Sequence, residues 1–292
     1  MELGRLGVWT LLDFHSGPDT AAFARRLEDW GYSALWTPEA IGRDPFAMIG
    51  YLAGQTEKLI YATGIANIYA RDPMTMKANW KTLSALAPDR FVLGLGVSHE
   101  HLVTGARGHS YEKPVPTMRR YLEAMQAATY MGFEPKNDAP IVLAALRDRM
   151  LGLAAKMTRG AHPYLVTPDH TARARNVLGS EAWLCPEQMV MLESDPKRAR
   201  DAARRHLRIY VGVPNYQNNL KQFGFEDSDF LDGGSDRWVD AVVCWGNEQK
   251  IADQIEAHHR AGADHVCIQV LRPDGKLGPD ERALEALAPS RG

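Results

Sequence analysis

Along this chain, short unbroken hydrophobic runs take turns with longer stretches in which apolar residues recur every three or four positions. Leu6–Leu12 (LGVWTLL), Ser33–Thr37 (SALWT), Leu59–Ala66 and Phe91–Val97 have strand length and stop at Gly, Pro or polar residues. Between them, Phe23, Leu27 and Trp30 share one helical face; Phe46 to Leu52 predicts a second helix, and Met76, Trp80 and Leu83 mark a third. Pro18-Asp-Thr20 and Asp72-Pro73 are helix starts, because a side-chain acceptor and a proline suit the first turn. Gly31 ends the first helix.

The alternation continues to the end of the chain. Pro116 opens a helix with Met118, Tyr121, Leu122, Met125 and Thr129 on one stripe. Pro140–Ala145 is a fifth strand, followed by a helix from about Asp148 to Met157. Ala161–Val166 is a sixth, made irregular by Pro163, and Thr167-Pro-Asp169 caps the next helix. Gln188–Glu193, a charged helix from Pro196 towards Arg208, the helix Glu248–Ala261 and the strand Asp264–Val270 complete the set. Eight strands, nearly all followed by helices, predict an α/β fold, a (β/α)₈ TIM barrel. An open doubly wound sheet would carry a glycine-rich turn after its first strand; here that turn is Asp13-Phe-His-Ser-Gly-Pro18. Val211 to Asp240, between strands seven and eight, is too long for a plain connection. It is either a lid or binding loop, or an extra helical pair on the outside.

Composition narrows the function. The 292 residues are 45% hydrophobic and 24% charged, and the net charge of -2 with scattered Lys and Arg argues against nucleic-acid binding. Cys185, Cys244 and Cys267 are odd in number and far apart, which fits reduced core thiols. No signal-peptide pattern or long uncharged apolar window occurs, so the expectation is a cytoplasmic protein away from membranes.

Barrel chemistry sits at the C-terminal strand ends. Here they offer few nucleophiles and no carboxylate cluster, which suits a cofactor enzyme better than a hydrolase. His99-Glu-His101 is an HxH of the kind some zinc barrels use, but the further ligands on offer are His15 and His162, with no obvious Asp partner near the last strand; no metal is expected. Gly94 and Gly96 inside strand four, and Gly64 in strand three, suit either the close approach of a flat ring or backbone, or a tapered barrel interior.

Thr63-Gly-Ile-Ala-Asn-Ile-Tyr-Ala-Arg-Asp-Pro73 and Arg90-Phe-Val-Leu-Gly-Leu-Gly-Val-Ser-His99 carry a resemblance to the luciferase-like flavin and deazaflavin oxidoreductases, particularly the branch using coenzyme F420. PIVLAAL at Pro140, LESDPKRAR at Leu192 and AGADHVCIQV at Ala261 extend it over nearly the whole length, so 1–292 reads as one luciferase-like barrel domain. The resemblance implies a cis peptide between Gly64 and Ile65, forming a bulge behind the ring, with Ala66 and Asn67 bonding the cofactor. It places Val97 and Ser98 along the ring edge and Ala144, Ala145 and Leu146 along the tail, with the next helix start near its phosphate. Thr167 and His170 are secondary phosphate candidates. Many relatives have glycines where this chain has Leu146-Arg147, a departure in that cradle.

Glu39 and His99 fall where such dehydrogenases place acid and base groups; for Glu39 a salt bridge to Arg43 or Arg71 is the competing role, and Trp9 and Trp36 read as core or pocket wall. The implied reaction is hydride exchange between the deazaflavin C5 and a small organic substrate: reduction of an activated double bond or carbonyl, or oxidation of an alcohol. The alternative within the family is an FMN monooxygenase using O₂ and a partner reductase. Outside it stand a non-catalytic flavin-binding barrel and a metal-dependent hydrolase. Pairing of two copies through outer helices is a further expectation.

Overall fold

The computed structural model describes residues 1–289; residues 290–292, part of the expected domain, lie outside the described residues. The strands are β1 (Leu6–Trp9), β2 (Ala34–Thr37), β3 (Ile60–Thr63), β4 (Ala66–Asn67), β5 (Phe91–Gly96), β6 (Ile141–Leu143), β7 (Gly160–Ala161), β8 (Trp183–Leu184), β9 (Glu187–Leu192), β10 (Val243–Gly246) and β11 (Val266–Val270). Every recorded pairing is parallel. β11 pairs with β1, and β1, β2, β3, β5, β6 and β7 follow in order.

Residues 183–192 close the ring. β8 pairs with β7 (Gly160 opposite Trp183), whereas β9 pairs with β11 (Glu187 opposite Cys267). The amides of Asp264 and Cys267 donate to the carbonyls of Leu184 and Pro186, so one strand interrupted at Cys185-Pro186 serves both neighbours. The eight-staved barrel read from the periodicity is therefore the architecture.

Strand alternation then sorts the core. Trp9, Ala34, Trp36, Ile60, Ala62, Val92, Val142, Cys185 and Cys267 fill the barrel. Their sequence neighbours, among them Val8, Leu35, Tyr61, Leu93, Leu143, Val266 and Ile268, pack outwards under the helices. All three cysteines are free and buried.

Most helices start where capping chemistry places them. Ser16, Asp44, Asp72, Thr167, Asp195 and Asn247 cap α1 (Gly17–Asp29), α2 (Pro45–Ala53), α3 (Pro73–Leu86), α6 (Pro168–Leu178), α7 (Pro196–Leu207) and α10 (Glu248–Arg260) with their side chains. By contrast, α4 (Pro114–Ala127) and α5 (Asp148–Met157) open without a side-chain cap.

Three expectations need correction. The third strand is not continuous over 59–66 but leaves the ladder at Gly64-Ile65, between β3 and β4. The sixth shrinks to Gly160–Ala161, because Pro163 has no amide to donate. The seventh begins at Trp183, ahead of the expected Gln188.

The insertion folds over the barrel instead of packing outside it. It comprises α8 (Pro214–Leu220), two short 3₁₀ turns and the start of α9 (Asp236–Val242), which leads into β10, paired with the far end of β9. Tyr216, Leu220, Phe225, Phe230, Trp238 and Val239 join Leu165, Met189, Met191 and Leu271 in a second core on the strand-seven and strand-eight side of the mouth.

Candidate active site at the barrel mouth

At the break in the third strand the Gly64–Ile65 peptide is cis. Its carbonyls are held from two sides: Trp9 Nε1 donates to Gly64 O at 2.8 Å and the Glu39 amide to Ile65 O at 3.1 Å. The Thr63 hydroxyl substitutes for lost ladder bonds, accepting from Gly94 N at 2.9 Å and donating to Gly94 O at 2.7 Å.

The strand-four glycines answer to this detour. A Cβ on Gly94 would sit 2.0 Å from the Thr63 carbonyl oxygen, and one on Gly96 would sit 2.4 Å from Ile65 Cδ1 and 3.2 Å from Ala144 Cβ. Of the two readings of these glycines, backbone approach is realised at Gly94; at Gly96 the space goes to the Ile65 side chain rather than directly to a ring.

Glu39 makes the salt bridge that was the competing reading of it: one carboxylate oxygen accepts the Asn67 amide at 2.8 Å and the other pairs with Arg71. Arg71 also reaches Asp44 and lies over the Phe46 ring. The clamp fixes β4 beside the break, and Asn67 spends its own side-chain oxygen on the Tyr69 amide at 2.9 Å. A cleft of about 470 Å³ opens beside it, lined by Glu39, Arg43, Arg71 and Arg107 among others.

At the end of β5, Val97, Ser98 and His99 are half-buried. Ser98 has a left-handed backbone, φ 57°, and Leu165 shows the same at 58° after strand six. Such non-glycine residues mark places where surroundings over-determine the chain, often at functional sites. His101 starts a π-helical turn, His101–Ala106, and its ring stacks on His99 at 5.9 Å between centroids. Burial, with the neighbouring His101, lowers the His99 pKa, so its imidazole is neutral at neutral pH. Among the described residues no three His, Cys, Asp or Glu side chains gather into a metal-binding group.

The cap brings in residues that strand-end reasoning missed. Tyr216 from α8 faces His99 Nε2 with its hydroxyl at 3.3 Å, and its ring contacts those of Tyr164 and Tyr210. Tyr164 donates to Gln269 Oε1 at 2.7 Å and so accepts from the Tyr210 hydroxyl at 2.8 Å. Gln269 Nε2, a donor, meets His206 Nε2 at 3.1 Å, making that histidine an acceptor. Below this layer, Glu187 Oε1 and His162 Nε2 are buried without a hydrogen-bond partner. A glutamate within the run LCPEQMVML was the available signal for the first. Tyr216 had none beyond an aromatic-rich insertion, and Tyr210, just before it, had none.

On the tail side, Ala144 and Leu146 are half-buried and Ala145 is buried. Thr167 is committed to capping α6, accepting from His170 N at 3.4 Å. His170 donates from Nε2 to Leu146 O at 2.7 Å, which leaves Nδ1 as a bare acceptor. His170 therefore has no free side-chain donor for a phosphate, whereas the Thr167 hydroxyl, which only accepts here, keeps its proton to donate. The uncapped start of α5, beside Arg147, retains that capacity.

Fold and site together define a parallel βα barrel with a covered strand-end site built around a broken third strand. The chain belongs to the luciferase-like family: the model described as luciferase-like monooxygenase matches residues 5–265. It is 28% identical over 175 residues to a provisionally assigned coenzyme F420-dependent oxidoreductase of Mycobacterium tuberculosis, covering 60% of this chain and 48% of that protein. It is 26% identical over 168 residues to the 5,10-methylenetetrahydromethanopterin reductase of Methanolobus tindarius, covering 51% and 50%. The chain thus spans about half the length of these curated relatives. Among solved structures, the coenzyme F420-dependent tetrahydromethanopterin reductase of Methanopyrus kandleri superposes with a TM-score of 0.77 over 99% of this chain and 98% of that one, at 18% identity, a likeness of fold.

Proposed function

We propose that the protein is a coenzyme F420-dependent oxidoreductase acting on a small organic molecule. The observation that carries this reading is the break in the third strand, which sets the half-buried Ile65 against Gly96 and Ala144 at the mouth. The residues present suit a planar tricyclic ring. Ile65, Val97 and Ala144 offer a low apolar surface, the Ala66–Asn67 segment is held rigid by Glu39, and buried polar atoms at His162 and Glu187 lack partners. When bound, the deazaflavin supplies C5 as hydride donor or acceptor.

The protein's own contribution is shape, exclusion of water and proton handling. Tyr164, Tyr210 and Tyr216 shield the mouth on the insertion side. His99, neutral because it is buried, is suited to take a proton from an alcohol undergoing oxidation. Arg147 and the start of α5 are the anchor for an anionic tail.

Fluorescence titration of the purified protein with F420 and with FMN tests this. Saturable binding of F420 in preference to FMN is expected. Preference for FMN would favour the monooxygenase reading, and binding of neither would remove the redox assignment.

A further inference from the structure

Glu187 is a fully buried carboxyl without a counter-charge among the described residues. It lies on the inner face of β9, opposite Cys267, fully shielded from solvent. Oε2 accepts a single bond, from the Leu165 amide at 3.2 Å, and Oε1 has no partner. Among the described residues no Lys, Arg or His pairs with it. That amide belongs to the residue whose left-handed backbone, φ 58°, follows Tyr164, so the turn after strand six is bent where it meets the carboxyl.

The titratable groups that face it are Tyr164, Tyr210, Tyr216 and Cys267. Burial pushes all four upwards, so all are uncharged near neutrality and none stabilises an anion. A carboxylate here would be an unpaired charge in an apolar interior, whereas a carboxylic acid costs far less and can donate from Oε1. Burial accordingly raises its pKa to about 8. Burial at the mouth likewise keeps the half-buried His99 as free base.

We propose that Glu187 holds the proton consumed when this site reduces its substrate, an assignment that rests on the oxidoreductase reading. When bound, the reduced deazaflavin would supply the hydride to the substrate carbon, opening that carbon's double bond to the neighbouring atom. That atom takes the Glu187 proton. The substrate would thereby be reduced at the expense of the deazaflavin, and Glu187 would be left as carboxylate until the shielded site opens between turnovers and admits a proton.

Infrared difference spectroscopy on the full chain tests this without turnover. A protonated-carboxyl band is expected at pH 6.5, absent in Glu187→Gln, displaced but present in Glu187→Asp, and lost from the wild type as pH rises through about 8. A proton donor to the site should deuterate on mixing with heavy water, and its band should move when F420 is added. An ionised Glu187 at pH 6.5 would overturn the proposal. So would a band that deuterates only on unfolding, since that describes a sealed structural acid, or one unmoved by bound F420. Failure of F420 to bind would instead sink the function proposed above, while the deuteration result would still decide for or against Glu187.

Discussion

Single residues in this barrel carry large consequences because so many polar groups are buried. His162, His170, His206 and His265 have pKa values pushed down to about 4 by burial, and His258 to about 3. Each stays neutral in the fold while its unfolded counterpart takes up a proton near pH 6.5, so the unfolded state binds more protons below that pH. Stability should therefore fall as pH drops from about 6.5 towards 4, read as a falling urea midpoint. Glu187 acts with the opposite sign: the folded state holds its proton up to about 8, and its contribution is lost as pH rises from the ordinary carboxylate range through that value. The decline over that window should be shallower in Glu187→Gln. At Gly94 the relevant force is steric. Gly94→Ala drives a methyl into the Thr63 carbonyl and should cost about 1–3 kcal/mol or more in chemical denaturation. Gly105→Ala, with open space around it, should be tolerated.

At the scale of elements, the decisive unit is the broken third strand and the clamp that holds it. Arg71 and Glu39 are both nearly buried, with side-chain exposures of 10% and 8%. Removing Arg71 leaves a shielded carboxylate without its partner, and Arg71→Ala should cost about 3–5 kcal/mol of stability. Glu39→Gln retains an oxygen for the Asn67 amide, so it should destabilise by less and leave F420 affinity nearly intact. Loss of all F420 binding in Glu39→Gln, with the fold preserved by circular dichroism, would return Glu39 to the chemistry. The clamp was one of two readings available from sequence, since Arg71 lies in the same motif; a choice between them needed the distance.

At the scale of the whole molecule, the insertion has its own core, seated over strands seven and eight. Trp238 is its largest fully buried side chain, and Trp238→Ala should cost about 3–5 kcal/mol. Hydrogen exchange should quicken across residues 211–242 while the barrel strands keep their protection, because the interior core around Trp36 and Cys267 is a separate cluster. Equal loss of protection throughout would show that cap and barrel open as one. No helix among the described residues is long and apolar enough to cross a membrane.

What could be read from order alone was whatever local chemistry decides. Strand alternation, helical stripes and caps such as Asp72 with Pro73 act within a few residues, and they marked eight staves and the helices between them, but not α8 and α9 of the insertion. The family motifs at Thr63 and Arg90 pointed to strands three and four for a site. Tertiary structure alone decided the rest, because its partners lie far apart along the chain. Tyr216 meets His99 across 117 positions, and the Tyr164–Gln269 bond spans 105. Glu187 becomes a candidate acid only when closure of the ring through residues 183–192 removes its water and supplies no counter-charge. Local sequence carries propensity; the energy of burying a charge depends on the completed enclosure.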